Sequence, residues 1–227
     1  MSIDIEFSRF AQSYQEYDVI QKEVTKKLLS FVKTEPKRIL DLGCGSGNVY
    51  KMIPWKIEHF IGVDFAPKML ELHPKAEHVE CIYGDFENEE LYEYLIHYDF
   101  DYIISSSALQ WAKDLQKVFR FIASFQTNIA VAIFSANTFK TLHKTANIPS
   151  LLRSKEEVIT LAKRHFDIKV SVENYTLEFE NNKELFRYIK KTGVSGKRSV
   201  LNYKQTKALM QEYPLSYLEF EVVFLYS

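Results

Sequence analysis

The sequence predicts an α/β fold in which a doubly wound, mostly parallel sheet carries helices on both faces. Two observations predict this class. Short apolar runs alternate with segments of helical periodicity from residue 38 to residue 134, as in a parallel sheet whose strands are joined by helices. The chain has only seven glycines, and five of them fall between Gly43 and Gly84, where turns after strands need unusual backbone angles.

The segment before the first strand is predicted to be helical. Apolar residues recur at helical spacing from Ile20 to Leu28 and predict an amphipathic helix that ends before Pro36. A shorter helix with the same period is predicted ahead of it, at residues 7–14.

Five apolar runs and the helical segments between them predict the parallel part of the sheet. Strands are expected at residues 38–42, 59–65, 79–83, 101–105 and 128–134. Helices are expected between them at residues 66–72, 87–95 and 109–124. This alternation favours helices on both faces of the sheet.

Two later segments, residues 169–179 and 218–226, alternate in polarity like strands. They are expected to pair antiparallel at the end of the sheet, which then has seven strands. Residues 182–212 lie between them and are mostly helical in pattern. Because this stretch is too long for a plain connection, we expect a small helical cap inserted before the last strand.

Composition limits the classes of protein that this chain can represent. Apolar residues make up 46%, charged residues make up 26% and the net charge is -1, which excludes a disordered chain and a strongly basic nucleic-acid-binding arm. Two cysteines cannot build a disulfide framework, and the first residues lack the apolar core of a signal peptide. Apolar runs stay far below the roughly 20 residues that cross a bilayer. We expect a soluble, reduced, cytoplasmic protein.

The charges are unevenly distributed along the chain. Residues 58–101 hold twelve acids against two lysines, whereas residues 183–207 hold eight Lys or Arg against one acid. Both stretches are compatible with ordinary solvated helix faces. The basic stretch is equally compatible with a docking surface for an acidic partner.

The central motif is the turn Asp41-Leu42-Gly43-Cys44-Gly45-Ser46-Gly47, which follows a predicted strand and precedes a predicted helix. Its spacing is G-x-G-x-G with an acid two positions before the first glycine. A dinucleotide-binding turn would have its third glycine where Asn48 stands. The glycines allow a ligand to approach main-chain N–H groups, and the helix N-terminus would add partial positive charge. A turn that merely links strand to helix is the alternative.

Two more predicted strands end in acids. Asp64 ends the second strand, 17 residues after Gly47, and Asp85 lies between Gly84 and Phe86 after the third. Ligands of doubly wound sheets bind at the carboxyl ends of strands, where a carboxylate can accept hydrogen bonds from both hydroxyls of a ribose. With Pro67 near the first helical position, Asp64 is also a candidate helix N-cap.

Together these motifs resemble class I S-adenosyl-L-methionine (SAM) methyltransferases, whose fold is a Rossmann-like seven-stranded sheet. The resemblance implies that the turn holds the methionine end of SAM with its ammonium near Asp41, that Asp85 accepts from the adenine amino group and that Phe86 packs on the ring. The cofactor-binding residues it implies are Asp41, Gly43, Gly45, Gly47, Asp64, Phe65, Met69, Asp85, Phe86 and Ser105.

The end of the fourth strand reads Ser105-Ser106-Ser107-Ala108. Methyltransferases that act on nucleic-acid amino groups carry an acid or Asn followed by Pro-Pro there, and enzymes that methylate C5 of a base need a Pro-Cys nucleophile. Neither pattern is present. The sequence also shows no convincing cluster of metal-binding acids, so no metal is expected.

Four further segments resemble the malonyl-[acyl-carrier protein] O-methyltransferases of biotin synthesis. They are Phe7 to Tyr14, Ala108 to Leu115, Phe134 to Leu142, and Thr192 to Tyr217. With the SAM motifs they span nearly the whole chain. The third reads Ala136-Asn137 where such enzymes usually carry glycines, and the fourth is short around Ser195-Gly196.

This resemblance implies methylation of the free carboxylate of a malonyl thioester, so that fatty-acid synthesis machinery can extend it. A carboxylate nucleophile is already ionised at pH 7 and requires no general base. Arg9, Lys140 and Arg198 are candidates for holding it, and Tyr14 for closing over the cofactor or orienting the carboxylate. Gln110 and Trp111 are expected to line the substrate pocket.

The substrate would be presented by an acidic acyl carrier protein. Its predicted docking face consists of Lys190, Lys191, Lys197, Arg198, Lys204 and Lys207. Two other functions stay open: a methyltransferase of a small molecule without a carrier protein, and a SAM-binding or RNA-binding protein without transfer activity.

We expect a single domain over residues 1–227. Its parts are an N-terminal helical lid at 1–35, a SAM-binding core at 36–135, and a C-terminal half at 136–227 that includes the cap at about 182–212.

Overall fold

A computed structural model describes residues 18–192 and 203–227. Within these ranges the chain forms one sheet of seven strands in the order β3-β2-β1-β4-β5-β7-β6. The strands are β1 (Arg38–Leu42), β2 (His59–Asp64), β3 (Val79–Tyr83), β4 (Tyr102–Ser106), β5 (Asn128–Phe134), β6 (Lys169–Glu178) and β7 (Tyr217–Tyr226).

The first five strands are parallel, and the last two pair antiparallel with each other. β7 lies between β5 and β6 and is antiparallel to both. The predicted doubly wound, mostly parallel, seven-stranded sheet is therefore confirmed. Because β1, β2 and β4 run in the same direction, their carboxyl ends meet at one edge of the sheet.

Nine helices of the described ranges flank the sheet. They are α1 (Val19–Phe31), α2 (Asn48–Met52), α3 (Pro67–Glu71), α4 (Glu89–Leu95), α5 (Leu115–Ala123), α6 (Lys140–Ala146), α7 (Lys155–Lys163), α8 (Asn182–Thr192) and α9 (Tyr203–Glu212). None of them is both long and apolar enough to cross a bilayer. The helix predicted at residues 7–14 lies outside the described residues.

The single helix predicted at residues 109–124 is wrong in its first turns. Residues Leu109–Trp111 form a short 3₁₀ turn, and α5 begins only at Leu115. Asp114 accounts for the break, because its side chain accepts a hydrogen bond from Lys117 N at 2.9 Å and so caps a new helix. The same mechanism begins α7, which the sequence analysis did not predict, where Ser154 accepts from Glu157 N at 3.1 Å.

The core has two layers because side chains alternate between the faces of each strand. On one face Ile39 and Ile104 pack with Val24 and Leu28 of α1, together with side chains of α8 and α9. On the other face the strands pack against α4, α5 and α7. The two helices α8 and α9 occupy the described parts of the segment 182–212 and are inserted between β6 and β7.

Candidate functional site

An open cavity of about 670 Å³ lies at the carboxyl ends of β1, β2 and β4. Its walls are the glycine turn after β1 with the start of α2, the residues that follow β2, β3 and β4, and one side of α1.

The glycine turn has a backbone that residues with side chains rarely adopt. Gly43 and Gly47 have φ angles of 75° and 86°, and a Cβ atom on Gly43 would lie 2.2 Å from Ala108 Cβ. Glycine is therefore required for the close approach of the turn to the end of β4. Gly43 and Gly45 line the cavity, whereas Gly47 is the N-cap of α2.

Most N–H groups of the turn already donate hydrogen bonds within the protein, so fewer of them are available to a ligand than the sequence predicts. Gly43 N and Cys44 N both donate to Val63 O, at 2.8 and 3.0 Å, and Gly47 N donates to Cys44 O at 2.9 Å. Gly45 N donates to the Asp64 carboxylate at 2.9 Å. The helix that follows has only five residues, so the turn contributes space and shape more than a long helix dipole.

Asp41 is completely buried on β1, two residues before the turn. Neither carboxylate oxygen has a hydrogen-bond partner in the described part of the chain. Burial, and secondarily the charge of Asp64, raises the pKa of Asp41 well above its usual value. Asp41 shares the α1-facing side of β1 with Ile39, so this side of β1 holds an acid that no described residue pairs with.

Asp64 ends β2 and lines the cavity with 8% of its surface exposed. Its Oδ2 accepts from Gly45 N and its Oδ1 accepts from Ala66 N at 2.8 Å. Burial raises the pKa of Asp64, and these N–H bonds partly oppose the rise. The expected N-cap role is wrong, because Ala66 is the N-cap of α3 and Pro67 is its first residue. Each oxygen keeps a lone pair for a ligand hydroxyl.

Apolar side chains form the wall beside Asp64. Phe65, Met69 and Phe86 line the cavity, and Phe86 is held by Tyr92, whose hydroxyl donates to Phe86 O at 2.8 Å. Asp85 differs from its neighbour: it is exposed, it is not among the lining residues, and its Oδ1 accepts from Glu87 N at 2.9 Å. This wall is suited to a flat apolar ring.

The three consecutive serines at the end of β4 differ in their surroundings. Ser105 is fully buried and donates to Leu42 O at 2.7 Å, and it does not line the cavity. Ser106 lines the cavity because successive residues of a strand point to opposite faces. Ser107 also lines it, from the turn after β4, where its φ angle is 60°. Of the predicted pocket pair, Trp111 lines the cavity, whereas the Gln110 side chain donates to Ser107 O at 2.6 Å and supports the turn.

Helix α1 supplies cavity residues that the sequence analysis missed. Gln21 and Thr25 line the cavity, and the Thr25 hydroxyl lies 2.8 Å from Ser106 Oγ. The sequence contains a pattern that could have indicated them, since these two polar residues are four positions apart, on one side of the helix and next to its apolar stripe. It was not interpretable without knowing what α1 covers.

The predicted cationic residues do not meet in the described part of the cavity. Lys140 is exposed at the start of α6 and is not a lining residue. Arg9, Tyr14, Lys197 and Arg198 lie outside the described residues, as do the side chains of Lys190 and Lys191. Lys204 and Lys207 are exposed on α9.

Comparison with known proteins gives the same picture of the core. Residues 39–127 match a family model described as a methyltransferase domain. Malonyl-[acyl-carrier protein] O-methyltransferase of Bacillus cereus is 28% identical, with 83% of this chain and 78% of that protein covered. The enzyme of that name from Acinetobacter baylyi is 23% identical, with 95% and 87% covered.

Solved structures share the fold. The YcgJ protein of Bacillus subtilis superimposes with a TM-score of 0.61 at 15% identity, covering 88% of this chain and 96% of that one. Phosphoethanolamine N-methyltransferase 2 of Haemonchus contortus, solved with SAM, has a TM-score of 0.52 at 17% identity, covering 88% and 51%.

The sheet order, the methyltransferase domain and the curated relatives identify the chain as a class I SAM-dependent methyltransferase. Its cofactor is SAM. Within that class it resembles the malonyl-[acyl-carrier protein] O-methyltransferases.

The residues of the cavity fit this cofactor. The apolar wall with Phe86 suits a purine, and Asp64 has spare acceptor capacity for ribose hydroxyls. Asp41 and the buried Gln21 Oε1 are acceptors that have no partner within residues 18–192 and 203–227, and a ligand that carries an ammonium group would satisfy such atoms.

Proposed function

We propose that this enzyme methylates the free carboxylate of malonyl-acyl carrier protein and gives the methyl ester that enters pimeloyl synthesis for biotin. The observation that carries the proposal is similarity to curated relatives of that name over most of both chains. The matched segments at both ends of the chain, outside the methyltransferase domain at 39–127, add support.

The reaction has a clear physical purpose. An ionised carboxylate is costly to bury in the apolar site of an elongating enzyme. When bound, SAM supplies a methyl group on a positively charged sulfonium, and transfer to a carboxylate leaves a neutral ester. The methylated chain then enters the apolar site without that cost.

The residues of the cavity have simple tasks in this reaction. A malonyl carboxylate is ionised at pH 7, so no side chain has to remove a proton. Trp111 and Ala108 supply an apolar wall after β4, which would limit the access of water to the reacting groups. The Ser107 hydroxyl, buried and unpartnered among the described residues, is proposed as a hydrogen-bond donor to the substrate.

We propose cofactor contacts for the predicted set. Asp64 binds the ribose, Phe65, Met69 and Phe86 enclose the adenine, and the turn with Gly43 and Gly45 leaves room for the methionine tail. Asp41 compensates the ammonium charge. Asp85 reaches the adenine edge from outside the described cavity wall, and Gly47 and Ser105 act by shaping the turn and the end of β4.

A cation is expected to hold the substrate carboxylate. We place Arg9 and Arg198 ahead of Lys140, because Lys140 is exposed and does not line the cavity. Tyr14 is proposed to orient the same carboxylate or to close over the cofactor. The carrier protein is proposed to dock on the basic face that includes the exposed Lys204 and Lys207 of α9.

The test is transfer of a labelled methyl group from SAM to malonyl-acyl carrier protein, with acetyl-acyl carrier protein as the control that lacks a free carboxylate. Label is expected only on the malonyl form. Label on both forms, or on neither, would refute the proposed substrate. Malonyl-coenzyme A provides a second arm, and transfer to it at the same rate as to the carrier-bound form would favour a small-molecule methyltransferase.

A further inference from the structure

Helix α1 places a buried hydrogen-bond acceptor in the wall of the cavity. Gln21 has only 6% of its surface exposed, yet it is one of the lining residues. Its Oε1 atom is buried and has no hydrogen-bond partner among the described residues. A buried acceptor without a donor is destabilising, so the position is explained if a ligand supplies the donor.

The helix holds Gln21 in place through polar contacts on both sides of it. One turn earlier, Asp18 accepts from Asn48 Nδ2 at 2.9 Å, at the start of α2. One turn later, Thr25 lies 2.8 Å from Ser106 Oγ at the end of β4. Val24 and Leu28, both fully buried, fix the apolar side of the helix against the sheet. Gln21 is thus positioned between the glycine turn and the end of β4.

The chemistry of an amide oxygen selects the ligand group. It accepts hydrogen bonds and donates none, so the partner must carry N–H or O–H. A malonyl carboxylate carries neither. The ribose and adenine donors of SAM are assigned to the wall formed by Asp64, Phe65 and Phe86, which follows β2 and β3. The α-ammonium group of the methionine tail remains.

We propose that Gln21 Oε1 accepts a hydrogen bond from the α-ammonium group of SAM, which makes Gln21 a cofactor-binding residue supplied by α1. This inference rests on the assignment of the cavity to SAM and is independent of the methyl acceptor. The buried acid Asp41 lies on the α1-facing side of β1, behind the residues that line the cavity. It would therefore attract the ammonium group by charge without contacting it. Gln21 provides the directional contact, and Asp41 provides the charge.

The experiment compares two ligands that differ in the tail. S-adenosylhomocysteine carries the ammonium group, whereas 5′-methylthioadenosine lacks the whole amino-acid tail. Binding to the full chain is measured by calorimetry for the wild type, Gln21→Met and Gln21→Glu. Gln21→Met keeps the length of the side chain and removes the acceptor, so we expect roughly tenfold weaker binding of S-adenosylhomocysteine and unchanged binding of 5′-methylthioadenosine.

Gln21→Glu keeps an oxygen acceptor and is expected to retain S-adenosylhomocysteine binding. Gln116→Met is the matched control, because Gln116 is exposed on α5 and both affinities should stay at wild-type values. Equal weakening for both ligands in Gln21→Met would mean that the residue acts through the fold, and no weakening would mean that it has no contact with the tail. Either result overturns the inference. Failure of the wild type to bind either ligand would instead refute the assignment of the cavity.

Discussion

Two acids of the site show how local contacts set the state of a buried carboxyl group. Asp64 receives N–H bonds from Gly45 and Ala66 that oppose the effect of burial on its pKa. Asp41 receives none from the described residues, and burial raises the pKa of Asp41 well above its usual value. The raised pKa favours the protonated form of Asp41 in the free protein, and a bound ammonium group would favour its ionised form.

We predict that cofactor binding releases a proton from Asp41. Because the ligand prefers the ionised acid, affinity should rise with pH until the pH passes the raised pKa of the free protein. Calorimetric titration with S-adenosylhomocysteine near pH 7, in two buffers of different ionisation enthalpy, measures the number of protons released. Asp41→Asn should bind more weakly and release none. Identical proton release by the wild type and Asp41→Asn would assign the proton to another group.

At the scale of elements, the connection after β5 is held to β7 by one buried carboxylate. The Glu221 carboxylate accepts from the Ser135 hydroxyl. Its two oxygens also accept from Asn137 Nδ2, at 3.0 and 3.1 Å, and one of them pairs with Lys155 Nζ at 3.4 Å. Asn137 stands where the sequence departs from the glycines expected by resemblance. Its amide explains that departure, because it adds a hydrogen bond to the carboxylate.

Glu221→Gln is predicted to destabilise the protein by about 1–3 kcal/mol at pH 7, because the new amide would face donors. Burial alone raises the pKa of Glu221, but the bonds from Ser135, Asn137 and Lys155 outweigh it and leave the pKa below its usual value. A lowered pKa in the folded state contributes stability above the unfolded value of about 4.3.

That contribution is lost as the pH falls through the folded-state pKa, so the difference between wild type and Glu221→Gln should shrink from pH 7 towards about pH 3. Urea unfolding at both pH values measures it. A difference that does not change with pH would show that the ionised form of Glu221 is not the stabilising one.

At the scale of the whole molecule, the near-zero net charge conceals two regions of opposite sign. The acidic stretch at 58–101 includes β3, at one edge of the sheet. The basic stretch at 183–207 belongs to the segment of α8 and α9. In the sequence this segment connects β6 to β7, the two strands at the other end of the sheet. An acidic carrier would be attracted to the basic region and repelled by the acidic one.

Reversing Lys204 and Lys207 to Glu is predicted to weaken the reaction with malonyl-acyl carrier protein and to flatten its dependence on salt. Affinity for S-adenosylhomocysteine should stay unchanged. Lys163→Glu with Lys169→Glu is the matched control, because these lysines are exposed on α7 and β6. Steady-state rates between low and high salt give the measurement, and an unaltered rate in the Lys204 and Lys207 variant would refute docking on this face.

Local patterns in the sequence were sufficient for much of the fold. Apolar runs predicted the five parallel strands, and alternating polarity predicted the last two, because both patterns follow from the burial of a strand whatever lies beside it. The helix at 109–124 was wrong because the capping effect of Asp114 was not weighed against the apolar periodicity. The position of β7 between β5 and β6 depends on contacts distant in the chain, which no local pattern encodes.

The sequence by itself determined the strands, the strained glycine turn and the acids at strand ends, because each is a local property of backbone angles, hydrophobicity and spacing. Only the tertiary structure decided which side chains face the cavity. It put Ser106 and Ser107 there in place of Ser105, and it brought Gln21 and Thr25 across from α1. A one-residue step reverses the side of a strand, which separates Ser106 from Ser105, and Ser107 lies in the turn beyond the strand. The docking of a helix is decided by the packing of surfaces far apart in sequence.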